Sequence, residues 1–270
     1  MTVQHDRLSH RRDSPSRTAS SQPSQPLRPP QPARFAAPNF DPLARLYRWM
    51  EYLSFGRTLE RCRFHFLDEL LDRQQALILG DGDGRFTARL LARSTRLRAH
   101  AIDGSRAMLA ALCRRARTLQ ASDRLTVELA DLRCWTGDSL CNRSPQPGGQ
   151  PDLIVTHFFL DCLTTSEVDR LARCLHGLAS DNTLLVVSEF AIPARGWMHP
   201  LATVLISALY RAFRLLTGLG PQRLPDYAAA LEGSGWRRTQ RREQLRGLLV
   251  SELWRRDPSP QPSCSARRLV

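Results

Sequence analysis

The stretch Leu77-Ile78-Leu79-Gly80-Asp81-Gly82-Asp83-Gly84-Arg85-Phe86 decides how the rest of the chain is read. Ala76 to Leu79 is a short, wholly apolar run ended by glycines, the pattern of a strand buried on both faces. It runs straight into Gly80-x-Gly82-x-Gly84, and helical spacing follows from Phe86 to Ala92. Glycine permits positive φ and lets a ligand approach the backbone where a Cβ would clash. In an open parallel sheet, ligands bind at the carboxyl ends of strands, near the point where strand order reverses. Gly80, Asp81, Gly82 and Gly84 are therefore expected to contact a ligand, with a plain tight turn as the alternative.

The residues between the glycines narrow the ligand. A nicotinamide or flavin fingerprint, G-x-G-x-x-G, needs glycine at position 85, where Arg85 stands. Asp81 and Asp83 would also repel a pyrophosphate placed at the following helix N-terminus. S-adenosylmethionine (SAM) carries a sulfonium and an ammonium and no phosphate, so an acidic turn suits it better. A second element supports a nucleoside. Asp103, with Gly104 beside it, closes the second strand in Ala101-Ile-Asp-Gly-Ser-Arg-Ala-Met-Leu109, 19 residues after Gly84. A carboxylate there can accept both ribose hydroxyls as a bidentate pair. Taken alone, Asp103 could instead cap the next helix.

Outward from these motifs, strands and helices alternate. Strands are expected at Ala99–Ile102, Leu125–Ala130, Asp152–Thr156 and Thr183–Ser188, and β-prone segments at about 236–242 and 247–255. Helical patterns fall at Ser105 to about Leu119, 135–141, 166–179, 199–217 and 224–233, and at 41–72 ahead of the first strand. Repeated βα units imply an α/β fold, a doubly wound, mainly parallel seven-stranded sheet with helices on both faces. Residues 1–38 are rich in Ser, Pro, Gln and Arg, and read as a disordered arm; residues 257–270 read as a disordered tail. The domain is thus expected over 39–256.

Gly-x-Gly-x-Gly followed by Asp-x-Ser-x-x-Met-Leu resembles the class I SAM-dependent methyltransferases, over about residues 40–255. That resemblance implies a Rossmann-like fold, SAM as cofactor and methyl transfer as the activity. It places Asp131, in Leu-Ala-Asp-Leu, at a polar contact to the adenine. It places Asp152-Leu-Ile-Val-Thr156-His157-Phe-Phe-Leu-Asp161-Cys-Leu163 at the fourth-strand motif, with Thr156 on the cofactor side and the following loop between methyl donor and acceptor. Leu46–Gly56, Ser188–Pro193 and Gly247–Leu253 look like segments of the C-methyltransferases of ubiquinone and menaquinone biosynthesis. One position departs from the pattern: family members commonly carry an acid two residues before the first glycine, where Ile78 stands.

Methyl transfer from a sulfonium needs a base only if the acceptor must lose a proton. His157 and Asp161, just past the fourth strand, are the candidates, with Asp161 able to orient the imidazole if a helix begins there. The competing reading makes His157 a structural histidine. Phe158 and Phe159 belong to the core or face the adenine or acceptor, and Tyr47 and Tyr227 are further pocket candidates. Trp197–Leu219 is apolar on one side and carries Arg211 and Arg214; it reads as a core helix, a lid, or a peripheral membrane contact.

Composition limits the remaining classes. All 39 basic side chains are arginines, and the net charge is +13. That excess sits at the ends: +4 over residues 1–40 and +6 over 237–270, leaving +3 over 41–236. A nucleic-acid partner is therefore not expected from the charge footprint. Thr-His-Phe-Phe also stands where base amino-methylators carry Asn/Asp-Pro-Pro-Tyr/Phe. The seven cysteines form no CxxC pair, so neither metal nor disulfide framework is expected. The absence of an apolar segment near the polar N-terminus suggests a cytoplasmic protein. The expected function is methylation of a small, lipophilic or aromatic acceptor. A nucleic-acid or protein methyltransferase and a degenerate SAM-binding protein are the alternatives.

Overall fold

Apolar runs too short for helices become the centre of one seven-stranded sheet. The computed structural model describes residues 57–134, 149–193, 200, 202–204, 206–207 and 224–257. The strands are β1 (Gln75–Leu79), β2 (Arg98–Asp103), β3 (Leu125–Leu129), β4 (Leu153–His157), β5 (Leu184–Phe190), β6 (Trp236–Gln244) and β7 (Leu249–Arg256). Their spatial order is β3-β2-β1-β4-β5-β7-β6. The first five are mutually parallel, and β7 runs antiparallel between β5 and β6. The helices are α1 (Arg57–Arg63), α2 (Arg85–Arg93), α3 (Arg106–Thr118), α4 (Thr165–Leu178) and α5 (Tyr227–Gly233).

The period-2 alternation of strands sorts the core into two layers. Leu77, Leu79, Ile154, Leu185 and Val187 face α4 and α5. Ala76, Ile78, Leu153, Val155 and Val186 face α2 and α3. Both faces being covered explains why β4 and β5 read as continuous apolar runs and are buried throughout. Polar side chains fix the edges of this arrangement. Asp152 accepts from the amides of Gln74 and Gln75, each at 2.8 Å, and so ties the start of β4 to the start of β1. Ser105 caps α3, as the sequence predicts, and Thr164 with Glu167 forms a capping box on α4.

Ile78 is buried in the α2–α3 layer, at 1% exposure, so that position serves packing. The expected helical region at 41–72 is interrupted where described: α1 ends at Arg63 and a short 3-10 turn spans Leu67–Leu70. Tyr47, the Leu46–Gly56 segment, the arm at 1–38, the helix at 135–141 and residues 258–270 lie outside the described residues, as does most of Trp197–Leu219. From that last stretch, Ala202 and Ile206 pack with Leu59, Cys62, Phe158 and Phe190 in a third cluster, while Val204 is exposed. Among the described residues, no helix is long and apolar enough to cross a membrane.

Gly84 brings α2 against α3. Its φ is +78°, and a Cβ there would lie 2.6 Å from the Cβ of Leu112 and 2.9 Å from its Cα. A Cβ on Gly82 would meet nothing within 4 Å. Gly84→Ala is thus expected to cost about 2 to 5 kcal/mol, left-handed strain plus overpacking. Gly82→Ala should cost only the strain, about 1 to 2 kcal/mol. Urea unfolding of the two variants measures the difference, and equal losses would contradict the packing role of Gly84.

Candidate functional site

Strand order reverses between β1 and β4: the chain leaves β1 for β2 and β3 on one side, then crosses to β4 and β5 on the other. The carboxyl ends of β1 and β4 therefore open into the crevice where this topology binds ligands. The glycine turn lies there. Gly80 (φ +64°) donates its amide to the Ile102 carbonyl at 3.0 Å, joining the ends of β1 and β2. A Cβ on Gly80 would stand 2.5 Å from Cδ2 of Phe159, so that ring rests on the glycine. Gly82 faces open space.

The two acids of the turn have different fates. Asp83 is neutralised within the protein. Arg85 donates to its Oδ1 at 3.0 Å and Arg115 of α3 to its Oδ2 at 2.7 Å. Burial alone would raise its carboxyl, but these two guanidinium groups hold it below the usual carboxylate range. The expectation that both acids confront a ligand is thereby corrected, and of the two only Asp81 keeps an oxygen without a hydrogen-bond partner among the described residues. Asp81 is 5% exposed. Its Oδ2 accepts from the amide and hydroxyl of Thr87, at 2.9 and 2.7 Å, and its Oδ1 is buried with no hydrogen-bond partner among the described residues. Burial raises the Asp81 carboxyl against the pull of Arg63 and Thr87.

The other expected cofactor residues are spread along the same edge. Asp103 ends β2 and accepts from the Ser105 amide at 2.8 Å, and Gly104 next to it is exposed. Asp131 follows β3 with both oxygens taken by Arg133, from Nε at 2.9 Å and Nη2 at 2.5 Å. That hydrogen bonding lowers the Asp131 carboxyl. Thr156 turns to the opposite face of β4 from Val155 and lines an apolar cavity with Leu160, Val168, Leu171 and Leu185.

His157 and Asp161 are not brought together. Phe158 adopts a left-handed conformation (φ +53°), its amide donating to the Ser188 carbonyl at 2.7 Å. The helix imagined to follow the strand is replaced by a short 3-10 turn at Leu160–Cys162, which carries Asp161 toward the end of β5. His157 is 2% exposed and meets the Phe86 ring edge-to-face at 4.4 Å; among the described residues neither ring nitrogen has a hydrogen-bond partner. Burial, with Arg63 adding to it, pushes this imidazole well below its ordinary pKa and keeps it neutral. Asp161, half-buried, is raised by burial to about 6. Tyr227 is a core residue of the α4–α5 layer.

Two buried charged residues near the turn escape the sequence reading. Glu189, the one charge in the apolar strand Leu184–Phe190, is fully buried at its end. Its Oε1 accepts the amides of Phe159 and Leu160 at 2.9 and 2.7 Å, and its Oε2 has no hydrogen-bond partner among the described residues. Burial and the adjacent Asp161 raise this carboxyl well above the ordinary range. The lone acid in an apolar strand was the available signal. Arg63, at the end of α1, is 4% exposed, and its guanidinium lies 5.6 Å over the Phe158 ring. Nothing in its sequence context separates it from Arg57 and Arg61.

No family model matches the chain, and no curated protein does so by sequence. Solved structures do match. The mitomycin 7-O-methyltransferase MmcR shares 17% identity at a TM-score of 0.58, covering 81% of this chain and 60% of that one. An O-methyltransferase family 2 protein from Planctomyces limnophilus, in complex with apigenin, shares 18% at 0.57, covering 79% and 61%. An O-methyltransferase family protein from Burkholderia thailandensis shares 15% at 0.55, covering 80% and 70%. The fold is that of the class I methyltransferases. The chain spans only about 60% of the length of two of these three.

The raised pKa of Asp161 has a direct consequence for stability. Between its unfolded value of 3.8 and about 6, the folded protein holds more protons on this group than the unfolded chain does. Stability from Asp161 therefore falls as pH rises through that window and stays lost above it. Asp161→Asn should flatten the dependence of Tm on pH between 4 and 7 relative to wild type. A melting series across that range reads the effect, and parallel curves would refute it.

Proposed function

We infer that the chain is a SAM-dependent methyltransferase acting on a small, lipophilic or aromatic acceptor. One observation carries the reading: at the reversal of strand order, beside the open Gly82, Asp81 Oδ1 is buried with no hydrogen-bond partner among the described residues. An unpaired buried carboxylate oxygen costs about 1 to 3 kcal/mol or more, and a cationic amino group would offset that cost. Asp103 would accept the ribose hydroxyls, Gly82 and Gly104 would let the nucleoside approach the backbone, Gly80 and Gly84 would shape the turn by admitting Phe159 and Leu112, and Asp131 would border the adenine. Thr156, turned to the α4 cavity, stays outside this set. The site thus fits the cofactor, which when bound supplies an electrophilic methyl group on a sulfonium.

The chain's own task would be alignment, and holding two reactants in line can contribute on the order of 7 to 11 kcal/mol. As a new bond forms from acceptor to methyl, the carbon–sulfur bond breaks and the acceptor's proton must leave. A general base works best with a pKa near the operating pH. Asp161, at about 6, fits that role better than His157, whose basicity burial reduces. Support for a small acceptor comes from the fold neighbours, one named for mitomycin and another held with apigenin. The likeness of Ser188–Pro193 to the quinone C-methyltransferases puts quinols beside phenols among the first acceptors to try.

Titration calorimetry should show binding of SAM and of S-adenosylhomocysteine, and none of NAD. Asp103→Ala should weaken SAM binding by about 2 to 4 kcal/mol, because the ribose hydroxyls lose a charged acceptor. Tight NAD binding without SAM binding would overturn the function. A folded Asp103→Ala variant with wild-type affinity would overturn the ribose assignment alone.

A further inference from the structure

The loop after β4 is held in an unusual shape by one side chain. Phe158 is a bulky residue in the left-handed region, at φ +53°, a conformation that persists only when its surroundings enforce it. Beyond it, the amides of Phe159 and Leu160 both point at one oxygen, Oε1 of Glu189, at 2.9 and 2.7 Å. Glu189 is fully buried, and a buried carboxyl group is retained in an apolar strand only where what it holds compensates for its desolvation. What it holds is Phe159. Independently, Gly80 is shaped to receive the same side chain: its missing Cβ leaves the space into which the Phe159 ring fits. Two elements far apart in the chain, the end of β5 and the end of β1, thus converge on one aromatic ring.

We propose that Glu189 is a positioning residue for the cofactor turn: through the amides of Phe159 and Leu160 it fixes the Phe159 ring over Gly80, forming the wall against which an S-adenosyl ligand binds. The proposal rests on the reading of the glycine turn as the S-adenosyl site. Glu189 reaches no ligand itself; it acts through Phe159. Around it stand Asp161 and Cys162 from the 3-10 turn, Tyr227 from α5 and Cys62 from α1. Burial and the charge of Asp161 favour the protonated acid, whose Oε1 still accepts two amides. A glutamine reproduces that hydrogen-bonding shape, whereas alanine abolishes it.

Two readouts test this on the full chain. Amide exchange over residues 158–163 should be slow in wild type and in Glu189→Gln, and at least tenfold faster in Glu189→Ala, with β1 and β2 amides unchanged. Calorimetry with S-adenosylhomocysteine should show Glu189→Gln within threefold of wild type, and Glu189→Ala and Phe159→Ala each at least tenfold weaker. The double variant should be no weaker than the worse single one, because both act through the same ring. Should Glu189→Ala fail to fold, Glu189→Asp, withdrawn by one methylene, replaces it. Wild-type affinity in a folded Glu189→Ala or Phe159→Ala, or fully additive losses in the double variant, would overturn the proposal while leaving the cofactor assignment intact. A wild-type chain that binds no S-adenosylhomocysteine would overturn both.

Discussion

The pairing of β1 with β2 on one side and β4 on the other is the constraint on which the remaining structure depends. Register places Leu79 beside Ile102 and Thr156, so the chain must leave the sheet at one edge from all three strands. Backbone hydrogen bonding then does much of the positioning. Gly80 stays bonded to Ile102 beyond the last strand pair, and Ala130 to Asp103. Asp81, Asp103 and Asp131, far apart in sequence, are delivered to one edge by the strands that precede them. Helices α2 and α3 can cross close beneath that edge because Gly84 lacks a side chain where Leu112 passes.

Charge at this edge is less than the sequence suggests. Asp83 spends its charge on Arg85 and Arg115, and Asp131 on Arg133. His157 is kept neutral and Glu189 is driven toward its neutral form by burial. Arg63 acts on both Asp81 and His157. A turn that looks doubly acidic is thus nearly balanced, with one carboxylate oxygen left over. Arg85 in place of glycine therefore disfavours a pyrophosphate ligand more than repulsion by two acids does.

Most of the fold was legible because it depends on local signals. Consecutive apolar residues bounded by glycine or acid marked β1, β4 and β5, and Ser105 marked the start of α3. The glycine turn and Asp103 were legible because their chemistry lies in the backbone and in strand ends. Other features depend on contacts that no local pattern carries. Arg115 reaches Asp83 from 32 residues away, and Glu189 serves amides 29 and 30 residues earlier. The expected pairing of His157 with Asp161 assumed helical spacing over four residues. One left-handed residue, Phe158, breaks that spacing and sends the two side chains apart.

The unsatisfied polar atoms point back to the same edge. Among the described residues, five buried side-chain atoms without a hydrogen-bond partner belong to Asp81, Thr156, His157 and Glu189, at the ends of β1, β4 and β5. Native interiors satisfy the great majority of such groups, and each exception calls for its own explanation. The Thr156 hydroxyl, in its apolar cavity, has none from the site. Asp81 and Glu189 each use one oxygen to shape the backbone, at the start of α2 and in the loop after β4, and leave the other unused. An apolar residue could not do that shaping, since amides need an acceptor. The unused oxygens are the cost of building a binding edge from carboxylates, and only at Asp81 does that oxygen sit within the turn itself.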